Sequence, residues 1–232
     1  MPIRYVLFPF LSVIATSLTL AATRLLGRGA EQAARAIGIH DLALFRVVIY
    51  ALWASIIAWA LACLLRQEGV RAADLGWRGR LSPEAIGLAV LAAWLAAMIW
   101  LPLDALRQAI GLPLYWDPRQ RGFVQPTTPW EFALVILAGL ILVPPAEETM
   151  FRGYVLPALE TRAGRIGALM LHNLLFALYH GAIGPGLVLY MFFWSFFPAL
   201  LYLRYRSIYP PMLMHFLNNI WVDIAVPMLF GH

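Results

Sequence analysis

The feature that most constrains this chain is a series of apolar runs too long and too sparsely charged to be buried in a soluble core. Ala85–Leu103 carries no charged residue, and Leu42–Leu65 carries only Arg46. Further blocks are Tyr5–Leu26, Trp130–Val143, Ile166–His180, Leu187–Leu203 and Ile208–Phe230. About 20 apolar residues in a helix cross the hydrocarbon core of a bilayer. In that solvent every backbone N–H and C=O needs an internal partner, so each block is expected to be a helix. With 62% hydrophobic and 12% charged residues among 232, the chain also lacks the polar surface that a soluble body of this size requires. The expectation is an all-α, polytopic membrane bundle of about seven or eight transmembrane helices. It forms one integral-membrane domain over residues 1–232, with an eighth helix or re-entrant segment in the apolar parts of 104–129.

The net charge of +5 comes from arginine alone, for there is no lysine. The arginines stand singly or in twos between the blocks, without the basic stripe that tracks a phosphate backbone, so nucleic acid is not an expected partner. They read instead as a membrane-orientation signal. With seven spans and an inside N-terminus, Arg4 and the arginines of 66–80, 152–165 and 204–206 fall on the cytoplasmic side. The smaller outside set is Arg24, Arg28, Arg35, Arg107, Arg119 and Arg121. The first block resembles a secretory signal, but it is long enough to span and more spans follow, so an uncleaved first helix is expected. Cys63 is the single cysteine, which leaves neither an intramolecular disulfide nor a cysteine zinc site.

Ionisable groups are costly inside a bilayer and mark functional sites by default. Here they concentrate in three places. Pro144-Pro145-Ala146-Glu147-Glu148 is followed by Phe151-Arg152-Gly153; His172-Asn173 precedes Phe176 and His180; His215 leads to Asn218, Asn219 and Asp223. Glu148 and Arg152 are four apart and can pair on one helix face, while Glu147 points about 100° away. His215 and Asn219 share a face in the same way. The two prolines are expected to start or kink a helix before the carboxylates. At about 1.5 Å of rise per residue, Glu147 lies ~20 Å from Glu160, and His180 ~22 Å from Arg165. His215 and Asn219 lie ~12 and ~18 Å from Ser207 on the same scale. The reference loops fall on one side of the membrane, so the polar groups converge at similar depth.

Such a set suits water chemistry. A carboxylate beside an imidazole can accept and return a proton, and an imidazole with a carboxamide can supply donors to a developing oxyanion. Glu147 with His180, and His215 with Asn219, fit these roles; no serine or cysteine near the clusters offers an obvious nucleophile. Glu148 with Arg152 is either supporting machinery or a structural ion pair. His172, Asn173, Asn218 and Asp223 read as packing or hydrogen-bonding groups.

The ordered set Glu147-Glu148-x-x-x-Arg152, Phe176-x-x-x-His180 and His215-x-x-x-Asn219 resembles the three-motif signature of the CAAX prenyl protease and bacteriocin-processing (CPBP) family. The resemblance covers 144–223. It implies an intramembrane endopeptidase of the glutamate-dependent, CAAX prenyl protease 2-like type. Glu147 and His180 would activate water, His215 and Asn219 would form the oxyanion hole, and Glu148 and Arg152 would support them. The implied partners are a membrane-associated protein or peptide substrate and the lipid bilayer. The implied location is the plasma membrane, with the site reached from the cytoplasm and no cofactor needed. Three alternatives stay open: a zinc enzyme with Glu147, His180 and His215 as ligands, a non-catalytic scaffold or immunity protein of the same fold, and a proton-conducting transporter.

Overall fold

The structure is a computed structural model that describes residues 1–25, 29–116 and 124–225. Among these residues there is no strand, and from Phe10 onward the described parts of the seven apolar blocks lie almost wholly in helices. The chain runs through α1 (Phe10–Leu25), α2 (Ala30–Ala36), α3 (Leu42–Gln67), α4 (Pro83–Met98), α5 (Trp100–Ala109), α6 (Pro129–Val135), α7 (Val143–Glu148), α8 (Leu156–His180), α9 (Pro185–Trp194), α10 (Phe196–Tyr205) and α11 (Tyr209–Ile220). Four helical runs are long and apolar enough to cross a membrane: Leu42–Gln67, Pro83–Ala109, Pro129–His180 and Pro185–Tyr205. Their outward faces carry Trp59, Trp94, Leu101 and Ile166, all more than half exposed, as a surface facing lipid would.

Helix starts follow local chemistry. Pro83 and Pro129 occupy first-turn positions where a missing N–H costs nothing, behind the caps Ser82 and Thr128. Glu131 closes a capping box with Thr128 and also accepts from the backbone N–H of His40 and Asp41, at 2.6 and 3.2 Å. This fully buried carboxylate thus ties the start of α3 to the start of α6. At the N-terminus, Tyr154 donates to the Pro2 carbonyl at 2.5 Å and accepts from Tyr5 N at 3.1 Å. Arg4 and Tyr5 both donate to Glu68, and the Arg4 bond in particular holds that exposed carboxyl below its ordinary range.

The 52-residue run Pro129–His180 is two passes, not one. Gly164 stands at φ 65°, ψ 177°, a conformation nearly confined to glycine, and the chain turns back there. Arg152 and Phe176, equally far from Gly164 along the chain, touch with the guanidinium 4.3 Å from the ring centre. Pro144 and Pro145, expected to start or kink a helix before the carboxylates, lie in the first turn of α7. π-helical turns at Ile136–Leu142 and Thr149–Val155 flank Pro144 and Pro145, and the helix continues to the Gly164 turn. The wider turns accommodate the missing donors that would otherwise break it.

A separate helix in 104–129 is not seen among the described residues. Its first residues complete α5, and the turn at Asp117-Pro118 falls outside the described residues. The polar stretch 66–84 is more than a linker. Its short 3₁₀ turn, Ala72–Leu75, packs against Gly153, where a Cβ would stand 2.5 Å from the Leu75 carbonyl oxygen. Both sides of that contact are backbone, so neither yields cheaply. Gly153→Ala is expected to destabilise the fold by about 1–3 kcal/mol, read as a lower unfolding temperature in detergent; an unchanged midpoint would refute the contact.

Candidate active site

Glu147 and Glu148 leave α7 in different directions, as their helical offset requires. Both are buried, 2% and 0% exposed. Glu148 faces the other two motifs. Its Oε1 accepts from Arg152 Nη1 at 3.1 Å and lies 2.8 Å from His215 Nδ1. Arg152 is fully buried, gives Nη2 to Ser195 Oγ at 2.9 Å and lies over the rings of Phe176 and Trp194. Phe176 and Trp194 stack with centroids 5.6 Å apart, and Trp194 meets the His215 ring edge-on at 5.0 Å. The signature thereby becomes one physical object. Arg152 of the first motif rests on Phe176 of the second, and Glu148 of the first orients His215 of the third.

His180 sits one turn beyond Phe176, partly exposed, with Nδ1 2.9 Å from the Phe176 carbonyl. A carbonyl only accepts, so Nδ1 carries the proton and Nε2 presents a lone pair. His180 is coupled electrostatically to Glu147, His215 and Arg152. Facing Glu148, His215 Nδ1 is protonated too, and its Nε2 donates only when the ring is an imidazolium.

Asn219 donates Nδ2 to the Gly139 carbonyl at 2.8 Å, and the reason lies in the first π turn. Val143 N–H reaches back five residues to Ala138, so the next bond in that register would join residue 144 to Gly139. Residue 144 is proline and has no N–H to give. The orphaned carbonyl is capped by the Asn219 side chain instead. An amide nitrogen has two protons, and this bond uses one.

Glu147 has a partner that the motifs do not contain. Tyr50, on α3, donates its hydroxyl to Glu147 Oε1. Tyr50 and Tyr179 hydroxyls lie 2.7 Å apart, and Tyr179 and Ser12 hydroxyls 2.6 Å apart, so bonded hydroxyls run from α1 to the carboxylate. Glu147 Oε2, by contrast, is buried and has no partner. Sequence reading passed over Tyr50 because a tyrosine in an apolar run carries no charge. The usable signal was that a phenol inside a membrane helix must bond something.

The remaining polar residues cluster nearby. His172 is fully buried, with Nδ1 3.0 Å from Asn173 Oδ1 and its ring stacked on Phe176, while Nε2 is without a partner. Asn218 accepts from Trp194 Nε1 at 3.2 Å. Asp223 abuts Gly139, where an added Cβ would come 3.0 Å from Oδ2. Among the described residues no group of three His, Cys, Asp or Glu side chains is placed to hold a metal ion.

Residues 129–221 match the family model described as Type II CAAX prenyl endopeptidase Rce1-like. No curated protein and no solved structure matches the chain. Every motif residue from Glu147 to Asn219 lies inside the matched segment, so residues 129–221 of this helical membrane protein are similar to the same family that the sequence motifs resemble.

Proposed function

We propose that the chain is an intramembrane endopeptidase that hydrolyses a peptide bond of a membrane-associated protein by water activated at Glu147. The observation that carries this reading is Glu147 Oε2. It is a buried carboxylate oxygen without a protein partner, on a side chain coupled electrostatically to a histidine whose Nε2 presents a lone pair. Burial of a polar atom without a bond is costly, and catalytic sites are where such costs are tolerated.

Water bound between Oε2 and His180 Nε2 gives a proton to Oε2 as its oxygen attacks the scissile carbonyl carbon. The new C–O bond pushes the carbonyl electron pair onto oxygen. Asn219, through its second amide proton, and His215 Nε2–H, as imidazolium, receive that oxyanion. Collapse of the intermediate re-forms the carbonyl and breaks the C–N bond, and the proton held on Glu147 passes to the leaving amine. Glu148 keeps His215 protonated at Nδ1, and Arg152 balances its charge. The reaction needs no metal, so a chelator leaves the rate unchanged; a loss on chelation restored by zinc would instead favour the zinc reading.

Access is assigned to the cytoplasmic side. The arginine bias puts 160–165 and 204–206 there, and a two-pronged ion pair from Arg206 to Glu160, 2.7 Å at Nη2, holds these two stretches together. The direct test compares protein N- and C-termini in membranes from cells carrying wild type or Glu147→Ala. A terminus present only with wild type identifies the substrate and its cleavage site. Indistinguishable sets at equal protein level overturn the proteolytic reading and leave the scaffold.

A further inference from the structure

The matched segment does not contain everything that touches Glu147. Tyr50 and Ser12 lie on α3 and α1, outside residues 129–221. We propose that Tyr50 is a positioning residue for Glu147, its hydroxyl fixing Oε1 and leaving Oε2 as the oxygen turned to the reacting water, with Tyr179 and Ser12 holding Tyr50 in place. The proposal rests on the proteolytic reading for its consequence, but its geometry stands apart from it.

Proton counting gives the chain of hydroxyls a direction. Each hydroxyl has one proton. Tyr50 spends its proton on the Glu147 carboxylate, so the 2.7 Å contact with Tyr179 requires Tyr179 to donate. Tyr179 then accepts across its 2.6 Å contact with Ser12. The Ser12 hydroxyl also lies 2.8 Å from the Pro9 carbonyl, an alternative acceptor that already receives the Ser12 backbone N–H. Withdrawing the Ser12 proton from Pro9 therefore strands nothing. Ser12 is fully buried and Tyr179 2% exposed, so water does not compete along most of the chain.

The rings are fixed independently of the hydroxyls. Tyr179 packs edge-on against Phe10, Tyr50 and Phe151, at centroid distances of 5.8, 6.2 and 5.0 Å. Phe151 is the residue before Arg152, so the aromatic support of Tyr50 reaches the first motif from the far side. A carboxylate on a flexible two-methylene stem has rotamers to lose. Fixing one oxygen while leaving the other open is what a general base needs. An arginine at position 50 could fix the group too, but at the cost of another buried charge.

The test is Tyr50→Phe, which removes one proton donor and keeps the ring. The protein is purified in detergent and assayed with a quenched fluorescent peptide ending in a farnesylated CAAX sequence. Turnover is expected to fall by about 10–100-fold with KM within about threefold, because the interaction serves the transition state and not substrate binding. Tyr179→Phe is expected to cost less and Ser12→Ala least. A second readout needs no substrate. Measured in acid, where Glu147 carries a proton on Oε2, its C=O band, identified as the infrared band lost in Glu147→Gln, is expected to move to higher frequency in Tyr50→Phe, as a carbonyl does on losing a donor. An unmoved band overturns the proposal, whatever the activity does. A moved band with turnover within twofold of wild type overturns the catalytic consequence. If wild type cleaves no peptide and no cellular protein, the proteolytic reading fails, while the band alone still decides whether Tyr50 holds Glu147.

Discussion

Glu147→Gln is expected to lower turnover by about 10²–10⁴-fold, the range that a positioned general base contributes. The substitution preserves volume and leaves an oxygen for the Tyr50 proton, so packing against α3 survives. What it removes is the basic lone pair at the position of Oε2, the one oxygen of that side chain without a partner. The unfolding temperature should stay within a few degrees of wild type, or rise, because an uncompensated polar atom is replaced by a neutral amide. Activity within tenfold of wild type on the farnesylated peptide would place the base elsewhere, with Glu148 the nearest candidate. Glu148 Oε2 is likewise buried without a partner, so what separates the two is that Glu148 Oε1 already serves both Arg152 and His215.

Arg152→Ala should produce the largest loss of stability, about 3–5 kcal/mol, because it takes the permanent counter-charge from a buried carboxylate and leaves it only His215. The side chain is 0% exposed, as is Glu148, so no solvent can move in to compensate. The same change removes the bond to Ser195 and the cation from above Phe176. The measurement is the thermal unfolding midpoint in detergent, with yield from membranes as a second reading. Arg152→Lys should recover part of the stability, since it restores charge but cannot reach Glu148 and Ser195 with two arms at once. A double change, Glu148→Gln with Arg152→Met, should be far milder than Arg152→Ala for stability, because no charge is left unpaired. It should still be inactive, having taken the carboxylate from His215. If Arg152→Ala unfolds at the wild-type temperature, the buried pair is not what joins the motifs.

How much of this was legible in the sequence depended on whether the signal was charge, period or contact. Membrane solvent and all-helical class followed from the absence of charge across blocks such as Ala85–Leu103. The different headings of Glu147 and Glu148 followed from helical geometry, and the pairing of Glu148 with Arg152 from their spacing. The fate of Pro144 and Pro145 did not follow. Proline rules describe an α-helix, and here the backbone shifts to a wider register that the rules do not cover. The hairpin at Gly164 was visible only as a gap between two blocks, and its left-handed φ is a backbone fact no periodicity reports. Tyr50 and Ser12 were missed for a different reason. Their partners lie 97 and 167 residues away in sequence, and uncharged hydroxyls inside apolar runs leave no mark on hydropathy.

The capped carbonyl at Gly139 bears on how such a chain can drift. Should Pro144 alone become a residue with an N–H, the new donor competes for an oxygen that Asn219 already holds, and the amide is released to point elsewhere. Should Asn219 alone be lost, a carbonyl is stranded in the interior of a membrane bundle. Positions 144 and 219 lie on different helices, with α8 and its Gly164 turn, α9 and α10 between them, yet neither has a neutral path of its own. They form a single unit of inheritance, and a lineage that abandons one should be found to have abandoned both.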